Sequence, residues 1–157
     1  MRRFQIFIAL LAIALVAIPG SSLGGARALP VIQLVSITTA DRINDVAPKG
    51  PSKGDTEFTT SRLLNAVPQF GKRRGAAVGS DRGTLTFQSG RSVTINGVAK
   101  LPGGTLVVHG KVRILANGLV LPVSGGTGAF RGAHGTVTTS PLTKDGKRAL
   151  NVYRLKY

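Results

Sequence analysis

The stretch VLPVSGGTGAFRGAHGTVTT, residues 120–139, decides the fold that we predict for this chain. A β-prone apolar run opens it, a cluster of glycines follows, and small and β-branched residues resume after Phe130. Glycine tolerates positive φ and the close approach of a second backbone, so a glycine cluster between two β-prone runs predicts a turn between antiparallel strands. The predicted turn residues are Gly125, Gly126, Thr127 and Gly128.

Short β-prone runs separated by Gly, Pro and Asp-Gly or Asn-Gly signals continue on both sides of this stretch. Loops are predicted at residues 41–53 and 66–74, which carry Pro and Gly, and no convincing helical pattern follows residue 28. Short strands of this number are typical both of a sandwich and of a closed barrel. The predicted strands span residues 31–39, 55–64, 83–88, 92–101, 105–115 with a break at Gly110, 119–124, 135–139 and 148–157.

The spacing within the glycine cluster resembles the signature shared by dirigent proteins and allene oxide cyclases, Gly-Gly-Thr-Gly-x-Phe-x-x-Ala-x-Gly. Weaker matches extend this resemblance over roughly residues 29–157. The resemblance implies an all-β fold, an eight-stranded antiparallel barrel of the allene oxide cyclase and dirigent type, with room for packed side chains or one small ligand. The matching residues are Gly125, Gly126, Thr127, Gly128, Phe130, Ala133 and Gly135.

The first 28 residues have the composition of an export signal. A basic start, Met1 to Arg3, precedes the apolar run from Phe4 to Ile18, and Ala26-Arg27-Ala28 fits a small-x-small cleavage site. The apolar run is shorter than the about 20 residues that a membrane helix needs. We therefore predict a signal peptide at 1–28 and one secreted or cell-envelope domain at 29–157, with an uncleaved N-terminal anchor as the alternative.

The chain is strongly basic, with 21 Lys and Arg against six Asp and Glu. Loss of residues 1–28 would remove three arginines and no acid, which leaves an excess of 12 positive charges. This charge suits an anionic cell-envelope polymer as partner, although a solvated basic surface explains the same composition. The few aromatic residues argue against nucleic acid as a partner. The sequence leaves homo-oligomer formation open.

The sequence lacks the residues that several classes of chemistry require. The chain has no Cys, which removes disulfides, thiolate metal sites and a cysteine nucleophile. The glycine cluster lacks the Lys of a phosphate-binding loop and the third glycine of a dinucleotide fingerprint, and no Gly-x-Ser-x-Gly elbow occurs. His109 and His134 are the only histidines, too few for a histidine-based metal site. We predict no metal and no cofactor.

His134 is the predicted catalytic residue. The resemblance implies that its position, an Arg in dirigent proteins and a Tyr in allene oxide cyclases, borders the barrel pocket. A His there suits an acid or base near neutral pH, against the alternative of one structural hydrogen bond. If Val137 faces the wall, alternation places Phe130 beside His134 in the lumen.

Two acidic residues complete the predicted ligand pocket. Asp55 either holds a charge in the pocket or satisfies backbone donors at a turn, and the same ambiguity applies to Asp81. Glu57 points to the lumen or to solvent if Phe58 faces the wall. The predicted pocket residues are Asp55, Glu57, Phe130 and His134.

The resemblance does not carry either family's activity over directly. Thr59-Thr60-Ser61 lies near the place where allene oxide cyclases hold a catalytic water with Asn, and acids are scarce for a dirigent pocket. We predict a secreted barrel that binds a small, mostly apolar molecule and steers its cyclisation or coupling by confinement, as an isomerase of the cyclase kind if it is an enzyme. The alternative is a non-catalytic basic binding protein associated with the cell envelope.

Overall fold

A computed structural model describes residues 29–46, 48–89, 92–114 and 118–157. These residues form eight antiparallel strands that close into one barrel in sequence order, and the described ranges contain no helix. The predicted all-β barrel is confirmed, and the sandwich is excluded. The predicted signal peptide lies outside the described residues. The strands are β1 Val31–Asn44, β2 Thr56–Asn65, β3 Ala77–Ser89, β4 Ser92–Leu101, β5 Gly104–Arg113, β6 Leu119–Gly128, β7 His134–Pro141 and β8 Arg148–Lys156.

Pairing of the first strand with the last closes the barrel. Residues Val31 to Ile37 of β1 pair with β8, while residues Leu34 to Asn44 pair with β2. Because successive side chains of a strand point to opposite faces, every strand contributes alternate residues to the interior. The buried apolar residues lie at these alternate positions, for example Ile32 and Leu34 on β1 and Val93 and Ile95 on β4.

Several strands are longer than predicted. β1 runs on to Asn44, through residues assigned to a loop, because each of residues 41–44 pairs with a residue of β2. A register shift between Thr38 and Ala40 accommodates the extension. β3 begins at Ala77, because the residues before Gly83 pair with β2 and β4. β5 continues through Gly110, where the missing side chain leaves room for the Pro122 ring.

The structure corrects the predicted turn at the glycine cluster. Gly125, Gly126 and Thr127 belong to β6 and pair with β5, and the turn follows at residues 129–133. The glycines are required by close packing, because a Cβ on Gly126 would lie 2.5 Å from the Phe130 carbonyl oxygen and 2.7 Å from that of Thr105. Gly128, which ends the strand, has a φ of 61° and needs the left-handed freedom of glycine.

The two ends of the barrel differ. At one end, here called the closed end, lie the start of β1, the loop 66–76, and the turns 102–103 and 129–133. Side chains that fill this end are buried; they include Leu101, Leu106, Phe130, Ala133 and Leu155. At the opposite end, here called the open end, apolar residues such as Leu85, Phe87 and Leu119 are only partly buried. The interior is therefore packed at the closed end and more accessible at the open end.

A buried amide holds the long loop at the closed end. The Asn65 side chain is 1% exposed, and its Nδ2 donates to the carbonyl oxygens of Gln69 at 2.7 Å and Lys72 at 3.0 Å. Gln69 and Lys72 also exchange two backbone hydrogen bonds, and Gln69 Nε2 donates to the Gln33 carbonyl. The loop is thus fixed to β1 and β2, with the Lys72, Arg73 and Arg74 side chains exposed. Among the described residues, no helix has the length and apolarity to cross a membrane.

The packing at Gly126 yields a stability prediction. Gly126→Ala should lower the free energy of unfolding by about 1–3 kcal/mol, because the new methyl overpacks against two carbonyl oxygens. Gly125→Ala is the matched control, since a Cβ there meets nothing within 4 Å. Thermal and urea unfolding measure both. Equal losses in the two variants would show that the close contacts at Gly126 are not the cause of its loss.

Candidate functional site: the barrel lumen

Polar side chains line one wall of the lumen, on β1 to β3. On β2 the alternation that buries Leu63 and Asn65 also turns Ser61, Thr59 and Glu57 inward. Phe58 points outward and is 45% exposed, so the lumen alternative for Glu57 is the one that the structure shows. Glu57 pairs with Ile43 on β1 and with Leu85 on β3, near the open end.

The Glu57 carboxyl lies in a partly desolvated place. Burial raises its pKa above the ordinary value, and the negative charge of Asp41 raises it further. Asp41 faces the same side because the register shift on β1 makes it the partner of Thr59. Two carboxyls therefore share the mouth of the lumen.

A second inward carboxyl, Asp81, lies deeper in the barrel. It is the partner of Ser61 on β2 and of buried Ala99 on β4. Burial raises the pKa of Asp81, and a hydrogen bond from Ser61 partly opposes the rise. Tyr153, on β8, is buried and points into the same interior, and both burial and the charge of Asp81 raise its pKa. Asp81, Ser61 and Tyr153 form a polar group between the mouth and the packed closed end.

The facing wall, on β4 to β7, is apolar. Its inward residues include Ile95, Val108, Val123 and Val137, which are all buried. Where the two walls meet, Gly83 on β3 pairs with Gly97 on β4, between Thr59 and Val108. Both glycines occupy inward positions, so this part of the wall carries no side chain. The lumen therefore combines a carboxyl-bearing wall, an apolar wall and a recess between them.

Asp55 is a loop residue rather than a pocket residue. Its side chain is 4% exposed and its carboxylate oxygens accept hydrogen bonds from the Val46 amide at 2.9 Å, and from the Ser52 amide at 2.7 Å and hydroxyl at 3.1 Å. These donors lower its pKa, the Ser52 amide most strongly. The turn alternative of the sequence analysis is therefore correct for Asp55, because its acceptors are already used.

The predicted lumen position of His134 is wrong. Val137 is 2% exposed and faces inward, so alternation along β7 turns His134 and Thr136 to the outer surface. His134 is exposed and its Nδ1 lies 3.2 Å from the Gly132 carbonyl oxygen. Phe130 does face the interior, but at 1% exposure it is packed into the closed end. Neither residue borders the accessible part of the lumen.

The outer surface carries a separate groove of about 550 Å³ over the Gly83–Gly97 backbone. Outward side chains of β2 to β5 form its rims, among them Phe58, Arg82 and Val98. On its floor the His109 ring contacts the Asn96 side-chain oxygen at 2.5 Å. The Glu57 and Asp81 residues are not part of the lining of this groove. Within the described ranges no three His, Asp or Glu side chains gather to hold a metal ion.

Asp81 is an inward carboxyl that was not among the predicted pocket residues. Its place in the strand was obscured because β3 was predicted to begin two residues later, at Gly83. The inward alternation of Leu85 and Phe87, carried back through Gly83, reaches Asp81 directly. The alternation is present in the sequence, but it identifies Asp81 as inward only if β3 is known to continue before Gly83.

Comparison with known proteins identifies the family. The dirigent-like protein family model matches residues 50–156, and the chain belongs to this family. This confirms the resemblance seen in the sequence. No curated protein sequence matches the chain.

Several solved structures share the fold. A pyocyanin demethylase superposes with a TM-score of 0.67 at 19% identity, covering 80% of this chain and 99% of that one. A heme-binding cyclase that catalyses a [4 + 2] cycloaddition in neoabyssomicin biosynthesis gives 0.63 at 21% identity, covering 83% and 68%. A pterocarpan synthase dirigent protein gives 0.60 at 16% identity, covering 80% and 81%.

The opposite pKa shifts of Asp81 and Asp55 yield a paired pH prediction. Burial raises the Asp81 pKa, so the folded state favours the protonated carboxyl. The stability that this carboxyl contributes is therefore complete below pH 3.8, its ordinary pKa, and is lost as the pH rises through its pKa in the folded state. Asp81→Asn should therefore melt at a higher temperature than the wild type at pH 7, and at about the same temperature at pH 3.

Asp55 should behave in the opposite way. Because its pKa is lowered, the Asp55 carboxylate stabilises the fold above pH 3.8. This stabilisation is lost as the pH falls through the pKa of Asp55 in the folded state. Asp55→Asn, which removes one acceptor oxygen, should lower the melting temperature at pH 7. Circular dichroism melts of both variants from pH 3 to 8 measure this. Destabilisation by Asp81→Asn at pH 7 would contradict a desolvated carboxyl.

Proposed function

We propose that this protein binds a small, mostly apolar molecule in the lumen and steers its cyclisation or coupling. One observation carries the proposal: Glu57 and Asp81 place two carboxyls with raised pKa values inside a barrel whose facing wall is apolar. Desolvating a carboxyl costs stability, and no cation contributes to either shift. Perturbed carboxyls in a concave, largely apolar site are typical of a functional site.

Confinement supplies the first part of the mechanism. An apolar substrate that enters at the open end displaces water from the wall formed by Ile95, Val108 and Val123. The packed closed end stops it, so that its far end rests near Tyr153 and Asp81. Holding a flexible substrate in one folded shape removes part of the entropy cost of ring closure and selects one face for bond formation.

Proton transfer supplies the second part. A carboxyl with a raised pKa is protonated at higher pH than usual and can donate to a substrate oxygen that gains negative charge as the new bond forms. Asp81 suits this role, because Ser61 orients its oxygens and Tyr153 lies across the lumen from it. Glu57, at the mouth, suits a hydrogen bond to a polar end of the substrate.

The similar structures support the confinement part of the proposal. Their names describe a demethylation, a [4 + 2] cycloaddition and a pterocarpan synthesis. Because one barrel hosts these different reactions, the chemistry depends on the groups in each lumen rather than on the fold. An oxidant for coupling chemistry would come from another protein, and we propose no cofactor resident in this one.

Export belongs to the same proposal. The sequence of residues 1–28 supports a signal peptide, followed by the barrel domain at 29–157, and the protein would then act outside the cytoplasm or in the cell envelope. The absence of Cys removes any dependence of the fold on oxidising conditions.

A lumen-filling variant tests binding. Gly97→Leu should reduce binding of the neutral probe N-phenyl-1-naphthylamine by at least about tenfold, because the side chain fills the recess. The change is structurally mild, since a Cβ at Gly97 has its nearest neighbours at 3.7 and 3.9 Å. The control is Val98→Leu, which adds bulk to the outer groove. Loss of probe binding by Val98→Leu alone would place the ligand in that groove instead.

A second measurement separates steering from binding. When a prochiral propenylphenol is oxidised by a one-electron oxidant, the wild type should give coupled product with an enantiomeric excess by chiral chromatography. The Asp81→Asn variant should give a lower enantiomeric excess but still bind N-phenyl-1-naphthylamine. The loop variant Asp45→Asn should change neither the enantiomeric excess nor the binding of this probe. Full probe binding with racemic product in the wild type would favour the non-catalytic binding protein.

A further inference from the structure

The acidic residues of this protein are unevenly distributed along the barrel axis. Of the six acidic residues in the chain, Asp41, Asp45, Asp55, Glu57 and Asp145 lie toward the open end and Asp81 lies in the lumen. No Asp or Glu side chain therefore lies at the closed end. The exposed cations at that end are Lys72, Arg73, Arg74, Lys100, Arg131, Arg154 and Lys156.

These cations surround the closed end. They come from the loop 66–76, the last part of β4, the turn 129–133 and the end of β8, which lie at successive positions around the barrel. The backbone of the loop that carries three of these cations is held in place, because the Asn65 amide donates to the carbonyl oxygens of Lys72 and Arg73 from inside. A fixed loop loses less backbone entropy on binding than a mobile one.

Apolar and aromatic groups lie among the cations. Leu29 and Val31, at the start of the described chain, are each 40% exposed, and Tyr157 is 37% exposed. Cations combined with exposed aliphatic side chains and a Tyr are the composition of a surface that meets the headgroup region of a lipid bilayer. A polyanion such as a nucleic acid or wall polymer would leave the aliphatic groups without a partner.

We propose that the closed end docks on an anionic lipid membrane surface, with the open end of the lumen directed away from the membrane. The cations bind the lipid headgroups, and Leu29, Val31 and Tyr157 enter the interface between headgroups and acyl chains. A substrate then reaches the lumen from the aqueous side. This inference concerns the outer surface and does not depend on the reaction in the lumen.

Vesicle partitioning of the full chain tests the proposal. Binding is measured to vesicles of phosphatidylcholine alone and to vesicles that also contain phosphatidylglycerol, and the ratio of the two partition coefficients is compared between variants. Apolar contacts contribute to both partition coefficients, so their ratio isolates the charge. Combined Lys72→Gln, Arg73→Gln and Arg74→Gln should lower this ratio roughly 10- to 100-fold at low salt.

The matched control removes the same charge from the open end, by combined Lys49→Gln, Lys53→Gln and Lys144→Gln. It should change the ratio by less than about threefold, because these residues face away from the membrane. Equal losses in the two variants would overturn the docking geometry and leave only a net-charge effect. Tighter binding to an anionic polysaccharide or nucleic acid than to the vesicles would overturn the lipid assignment.

A label gives the orientation directly, since the chain has no Cys of its own. Fluorophores on Ala129→Cys, at the closed end, and on Lys144→Cys, at the open end, are compared on vesicles with nitroxide-labelled headgroups. Quenching of the Ala129 position and not of the Lys144 position is expected. The reverse pattern, or equal quenching, would contradict the proposal.

Discussion

The direction in which each strand turns its alternate side chains determines what this barrel contains. A shift of one residue moves every later side chain of a strand to the other face. On β1 the residues that face inward are Leu34 and Ser36 before the shift at Thr38/Ala40, and Asp41 after it. A regular β1 would place Asp41 on the outer surface and leave Glu57 without its acidic neighbour. The electrostatics of the mouth thus depend on one irregularity of the backbone.

The orientation of the alternate side chains also explains which features could be predicted from the sequence. Alternation, turn signals and the glycine motif predicted the family, the all-β barrel and most of the strands, because each depends on local residue types. They did not predict which side chains of each strand point into the lumen. His134 was placed in the lumen on the condition that Val137 faces the wall, and Val137 is instead one of the buried inward residues.

Pairing between strands explains the remaining differences. The composition of residues 41–44 is that of a loop, yet they form a strand because β2 offers them partners. In the same way, Asp81 becomes a lumen residue only when β3 is known to continue before Gly83. Tertiary pairing overrides local propensity at such positions, and a single sequence does not reveal it.

The lumen acids and the basic exterior act over different distances. Solvent-exposed cations are screened within a Debye length of about 8 Å at physiological salt, so the positive surface has little effect on a carboxyl inside the wall. Desolvation acts locally, and it is the largest cause of the raised pKa values of Glu57 and Asp81. A barrel with a large positive charge can therefore hold carboxyls with raised pKa values in its lumen. No Asp or Glu side chain lies at the closed end to neutralise the cations there.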